Sequence, residues 1–185
     1  MAPQTLDGGF RPAGVGRLDD WHVMARVLLP GSVSRRARIL LNEVLSRAGV
    51  DAEALGDAEN AVAELAANAE EHACGPFELR VVFVDGSLAW CEVVDGDRDL
   101  GDIPAILDRL RSRGDEPGLD LWEEHGRGLL LVYLLSKGCC QAYPTRMCAT
   151  GASGKAVVFA LPWKADAHLP PHPWAAAFPD HRSST

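Results

Sequence analysis

Lysine is scarce in this chain: only Lys137, Lys155 and Lys164 are present, and the formal net charge is −8. A nucleic-acid surface needs clustered Lys and Arg to displace counterions from phosphates, and no basic stripe alternating with aromatics is found, which argues against direct nucleic-acid binding. Long apolar runs are also missing. No segment reaches the roughly 20 residues of a membrane span. Met1 to Pro12 lacks the apolar core of a secretory signal, so the expected location is cytoplasmic. The five cysteines, Cys74, Cys91, Cys139, Cys140 and Cys148, are odd in number and show no CxxC spacing, which argues against a zinc or redox pair. They read mostly as small buried apolar residues.

What is present is a 185-residue chain with 47% apolar residues, enough for one domain with a sizeable core. Residues 1–20 carry no periodicity and read as a flexible N-terminal arm. Residues 163–185, rich in Pro, His and Trp, read as a loosely ordered tail, with no role expected for His168, His172 or His181. Between them, 21–162 read as the folded domain.

Trp21 to Leu29 alternates with period two, as a half-buried strand does, until Pro30 stops it. Ser32 offers an N-cap to an amphipathic helix whose apolar positions run from Val33 to Ala48, with Gly49 as its C′ residue. A second helix starts between Asp51 and Asp57 and runs to Cys74, before Gly75-Pro76. Phe77–Val84 and Leu88–Asp95 read as a hairpin about Asp85-Gly86. Asp102 caps a short helix over Ile103–Arg113, with Ile103, Ile106, Leu107 and Leu110 inward. Gly138–Tyr143 and Lys155–Leu161 read as closing strands.

Three stretches carry chemistry. In the second helix Asn60, Glu64, Asn68 and His72 step by four, each about 40° round from the last, so Glu64 and Asn68 lie together and meet either solvent or a ligand. Asp95 ends a row containing Ala89, Cys91 and Val93, which sets its carboxylate either at a rim or in a pocket. The alternating acids after it mimic a calcium loop, but Leu100 and Ile106 stand where such a loop needs glycine and glutamate. Finally, His125-Gly126-Arg127-Gly128-Leu129 feeds a helix over Leu130 to Ser136. Such a glycine loop suits phosphate oxygens, or lets a buried helix approach the sheet. It matches neither a Walker motif nor a dinucleotide fingerprint, since Leu131 occupies the third glycine position.

Taken together, Glu64-Leu-x-x-Asn68-Ala resembles the N box, Val94-Asp95-Gly96-Asp97 the first glycine box, and His125-Gly-Arg-Gly-Leu129-x-Leu-Val132 the second glycine box of the GHKL ATPase superfamily. The resemblance spans residues 21–162 and is greatest to small bacterial anti-sigma factor serine kinases. It implies the Bergerat ATP-binding fold: an α+β two-layer sandwich, with a mixed, mostly antiparallel sheet and helices on one face. It also implies ATP and Mg²⁺ as cofactors, Asp95 on the adenine amino group, Asn68 as Mg²⁺ ligand and Glu64 as catalytic base. The backbone of Gly126, Arg127, Gly128 and Leu129 would hold phosphates, and a lid would span about 98–124. Implied partners are an anti-sigma factor antagonist or a sigma factor, with a possible homodimer; the alternative is a catalytically weak nucleotide-binding regulatory module. Asp97 departs from the pattern, which usually has a glycine or small residue there.

Overall fold

The structure is a computed structural model that describes residues 21–84, 86–113 and 126–161. The expected arm and tail, His125 and much of the expected lid lie outside the described residues.

Strands β1 (Trp21–Leu28), β2 (Phe77–Val84), β3 (Ser87–Asp95), β4 (Cys140–Arg146) and β5 (Ser153–Ala160) form one sheet in the order β1-β2-β3-β5-β4. Every pairing in it is antiparallel, so the expected mixed sheet becomes a purely antiparallel one. The last hairpin folds back so that β5 inserts between β3 and β4, which makes β4 an edge. Pro144 is tolerated there because an edge strand can spare a ladder N–H, and β4 continues past Tyr143 to Arg146.

Helices α1 (Val33–Arg47), α2 (Ala52–His72), α3 (Ile103–Arg113) and α4 (Arg127–Leu135) stack on one face of this sheet. The main core joins Leu41, Leu45, Val62 and Leu65 of the helices to Leu79, Val81, Val93 and Phe159 of the sheet. Leu107 and Leu110 of α3 are buried in it, as their spacing predicts. The result is an α+β sandwich with helices on one face.

Local chemistry adjusts the sequence-based boundaries. Asp51 caps α2, accepting from the Ala54 N–H at 2.9 Å, and Gly49 takes the left-handed φ of 74° expected of a C′ residue. Ser32 does not use its side chain as the cap of α1. The Glu70 carboxylate of α2 reaches across instead, accepting from the Gly31 and Val33 N–H groups. α2 ends at His72, short of Cys74, with Ala73 extended at its cap. In β1 the helix-facing residues are Met24 and Leu28, while Val27 is exposed. A β-bulge opposite Val82/Phe83 moves Ala89 to the other side of the sheet, so Cys91, Val93 and Asp95 alone keep the shared helix-side face. Only Cys91 and Cys140 of the five cysteines are buried; Cys74 and Cys148 are exposed.

The sheet face away from the helices buries charge. Arg80 donates to Glu78 at 2.6 Å and to Glu92 at 3.3 Å, and also to Thr145 Oγ1 and the Arg146 carbonyl. Glu78 in turn accepts the Cys148 and Ala149 N–H groups at 3.1 and 2.9 Å. This network ties the β4–β5 turn to β2, which fixes β5 beside β3.

Candidate nucleotide site

A cavity of about 580 Å³ opens between α2, α3, the first turn of α4 and the ends of β3 and β5. Its apolar wall includes Leu65 and Ala69 from α2 and Val93 and Val157 from the sheet. Asn68, Asp95, Gly126, Gly128 and Leu129 all line it, so three separated stretches of sequence converge on one volume. Glu64 and Arg127 are not among the described residues that line it. Glu64 sits one helical turn before Asn68, half-buried, and Arg127 is exposed.

α4 begins at Arg127 with Gly126 as its N-cap, so the glycine stretch is largely the first helical turn itself. The helix's first backbone bond runs from the Leu130 N–H to the Gly126 carbonyl at 2.9 Å, leaving the Arg127, Gly128 and Leu129 N–H groups without intrahelical acceptors. Gly128 also serves packing, against α2 rather than the sheet. A Cβ there would lie 2.8 Å from Asn68 Nδ2 and 3.0 Å from Glu64 Oε2. Absence of a side chain is what lets the helix terminus approach both polar groups.

At the opposite end Asp95 is 3% exposed, which places its carboxylate in the pocket rather than at a rim. Its Oδ1 accepts from the Asp97 N–H at 2.9 Å and from Lys155 Nζ at 3.0 Å. Oδ2 has no partner among the described residues. Burial pushes the carboxyl above the ordinary carboxylate range, against the opposing pull of Lys155. Gly96 donates to the Cys74 carbonyl at 2.8 Å, and a Cβ on it would lie 2.7 Å from the Gly75 carbonyl oxygen. The chain after α2 therefore closes over this corner only because residue 96 is glycine.

The alternating acids have a backbone role. Asp95, Asp97 and Asp99 accept in turn from the N–H groups of Asp97, Asp99 and Gly101, three successive Asx turns that lead the chain from β3 toward α3. No group of three or more His, Cys, Asp or Glu arranged for a metal ion occurs among the described residues.

Lys155 is the site residue that the motifs miss. It shares the β5 face of Val157 and Phe159, is 7% exposed, and pairs in register with Asp95. A cation ending an otherwise apolar row was the available signal, the mirror of Asp95 itself. Beside it, a Cβ on Gly154 would overlap the Asp95 carbonyl oxygen.

An open antiparallel sheet with helices on one face, and a polar-ended cavity between the layers, define a nucleotide-binding α+β sandwich. The family model of the histidine kinase-like ATPase domain matches residues 28–157. That is well over half of the 185 residues, and the chain belongs to this family, within the GHKL superfamily that its three boxes resemble. Domains of the family bind ATP, generally with Mg²⁺. No curated protein matches the chain. Among the described residues no helix is long and apolar enough to cross a membrane.

The residues fit that ligand. Asp95 Oδ2 is a carboxylate acceptor at the cavity, the α4 terminus brings the Gly128 and Leu129 N–H groups to it, and Asn68 supplies a neutral oxygen suited to a hard cation. The lining also includes Glu71, Asp97, Asp99 and Asp102, so a polyphosphate needs a divalent cation to offset this negative charge.

Proposed function

We infer that this domain is an ATP- and Mg²⁺-dependent protein serine/threonine kinase that acts as an anti-sigma factor by partner switching, phosphorylating an anti-sigma factor antagonist. The observation that carries the reading is the close approach of Gly128, at the α4 terminus, to Asn68 and Glu64, with Gly128 and Asn68 lining the same cavity whose far end holds Asp95. One end suits a base and the other suits phosphates.

In this reading Asp95 accepts from the adenine amino group, and the first-turn N–H groups of α4 receive phosphate oxygens. Asn68 Oδ1 is the protein ligand for Mg²⁺; a site with few protein ligands is the usual arrangement for an ion that arrives with phosphates. ATP, when bound, supplies the phosphoryl group. Glu64 takes the proton from the acceptor hydroxyl, one helical turn from the metal ligand. Residues 21–162 form the functional unit, in the cytoplasm, as a monomer or homodimer. Asp97, the departure from the family pattern, is paired with Lys155 at 3.3 Å, which supports retained nucleotide affinity over the weaker regulatory-module alternative.

The test is incubation with labelled ATP, Mg²⁺ and a cognate antagonist. Transfer to the antagonist is expected, and Glu64→Gln should abolish it while ADP binding stays within a few-fold of wild type. Transfer that survives this substitution removes Glu64 as the base. Partner binding without any transfer over a range of Mg²⁺ concentrations selects the regulatory-module reading.

A further inference from the structure

The corner of the cavity around Asp95 holds two kinds of hydrogen-bonding group, a carboxylate acceptor and the Lys155 ammonium donor. Lys155 Nζ lies 3.0 Å from Asp95 Oδ1 and 3.3 Å from Asp97 Oδ2, with its side chain 9% exposed. An ammonium group has three N–H donors and no acceptor. Two are spent on these carboxylates; the third has no partner among the described residues, and Lys155 lines the cavity. On Asp95 the same two neighbours converge on Oδ1, which leaves Oδ2.

The pair therefore presents one free acceptor and one free donor side by side at the end of an apolar slot walled by Val93 and Val157. A purine edge with an amino donor beside a ring-nitrogen acceptor complements that pair. Adenine has such an edge on either side of its 6-amino group. Guanine's Watson–Crick edge instead presents two adjacent donors, and with Oδ1 already occupied Asp95 can meet only one of them.

We propose that Lys155 is a base-specificity residue, donating its third N–H to the adenine ring nitrogen next to the amino group that Asp95 accepts from. This rests on the nucleotide reading of the cavity and assigns its base end a two-point contact. The strand pairing makes the contact rigid: Asp95 and Lys155 are cross-strand partners, and Gly154 packs directly on the Asp95 carbonyl. Asp97 belongs to the same device, since its carboxylate takes one Lys155 N–H while its backbone N–H takes Asp95 Oδ1. Together they orient the ammonium and leave one donor over.

The experiment measures equilibrium binding of Mg²⁺–ADP, 1-deaza-ADP and 7-deaza-ADP to the full chain by calorimetry, on wild type, Lys155→Met and Lys155→Gln. For wild type, one of the two deaza analogues should bind about tenfold more weakly than ADP, the expected loss for one charge-assisted hydrogen bond. In Lys155→Met that ratio should fall to within twofold, because no donor remains to lose; Lys155→Gln, which keeps a neutral N–H, should fall between. Should the Met variant melt below the assay temperature, the Gln variant carries the comparison. Equal binding of ADP and both analogues to wild type overturns the contact while leaving nucleotide binding intact. So does a ratio unchanged by both substitutions, which would make Lys155 only a structural partner of Asp95. Failure of wild type to bind ADP at all overturns the nucleotide reading, and this proposal with it.

Discussion

Two glycine-to-alanine substitutions in the site should behave in opposite ways, and the reason lies in what each added methyl group meets. At Gly128 the Cβ would come 2.8 Å from Asn68 Nδ2 and 3.0 Å from Glu64 Oε2, both at the ends of flexible side chains. Each must retreat by roughly half an ångström to regain ordinary contact, at a cost of about 1 kcal/mol. Because Gly128 lies within α4, alanine also returns about 0.5–1 kcal/mol of helix propensity, so net stability should barely move. Function should move more: a misplacement of about 1 Å at reacting groups costs about 100-fold in rate, so roughly half that distance should cost about tenfold, and a lost ligand bond about tenfold in affinity. At Gly154 the methyl group would overlap the Asp95 carbonyl oxygen, which is backbone in the middle of the sheet. No rotamer relieves that, and β3 must separate from β5 near the Asp95–Lys155 pair. A loss of about 3 kcal/mol or more is expected, or about 6–12 °C in Tm for a domain of this size. Thermal melts and Mg²⁺–ADP binding on both variants decide it. A Gly154→Ala protein that melts with wild type, or a Gly128→Ala protein that binds ADP and transfers phosphate within twofold of wild type, would refute the reasoning.

Arg80→Met should be among the most damaging single changes outside the cavity, costing about 3–5 kcal/mol in urea denaturation, because it leaves Glu78 and Glu92, both 0% exposed, without their cation. A pH series should show ADP affinity weakening as pH falls through the raised pKa of Asp95, since protonation removes the charge that accepts the amino group; Asp95→Asn should be weaker and flat. The same shift has a stability sign. With its folded pKa above the unfolded value, Asp95 binds its proton more tightly in the native state, so its contribution declines as pH rises through that window, and Asp95→Asn should remove this part of the slope in pH-dependent melts.

The order of elements was legible because several carry a local signal: period two in Trp21–Leu29, apolar residues at helical spacing from Val33 to Ala48, and a C′ glycine, Gly49, after α1. Strand identity across the sheet was not, since the insertion of β5 between β3 and β4 depends on long-range pairing. The Ala89 bulge shows the same limit on a smaller scale. Perfect alternation from Ala89 to Asp95 predicts four residues on one face, and one extra residue opposite Val82/Phe83 removes the first of them. The cap of α1 escaped for a related reason, because Ser32 has the right chemistry next to the helix while Glu70 acts from another element.

Asp97 illustrates how a departure from a motif changes meaning once its neighbours are known. In sequence it adds a negative charge two residues after the adenine-contacting position, apparently against a polyphosphate ligand. In the folded protein Lys155 lies between its carboxylate and that of Asp95, and hydrogen bonds from Asp99 and Lys155 hold the Asp97 carboxyl below its ordinary range. Asp97 therefore stays ionised where the cation needs a second partner. Without it, the Lys155 ammonium would turn more fully onto Asp95 and compete for the acceptor that the base requires. The departure at Asp97 comes with a lysine already placed to meet it, so Asp97→Gly alone should fail to strengthen Mg²⁺–ADP binding in calorimetry, even though it restores the residue the pattern favours.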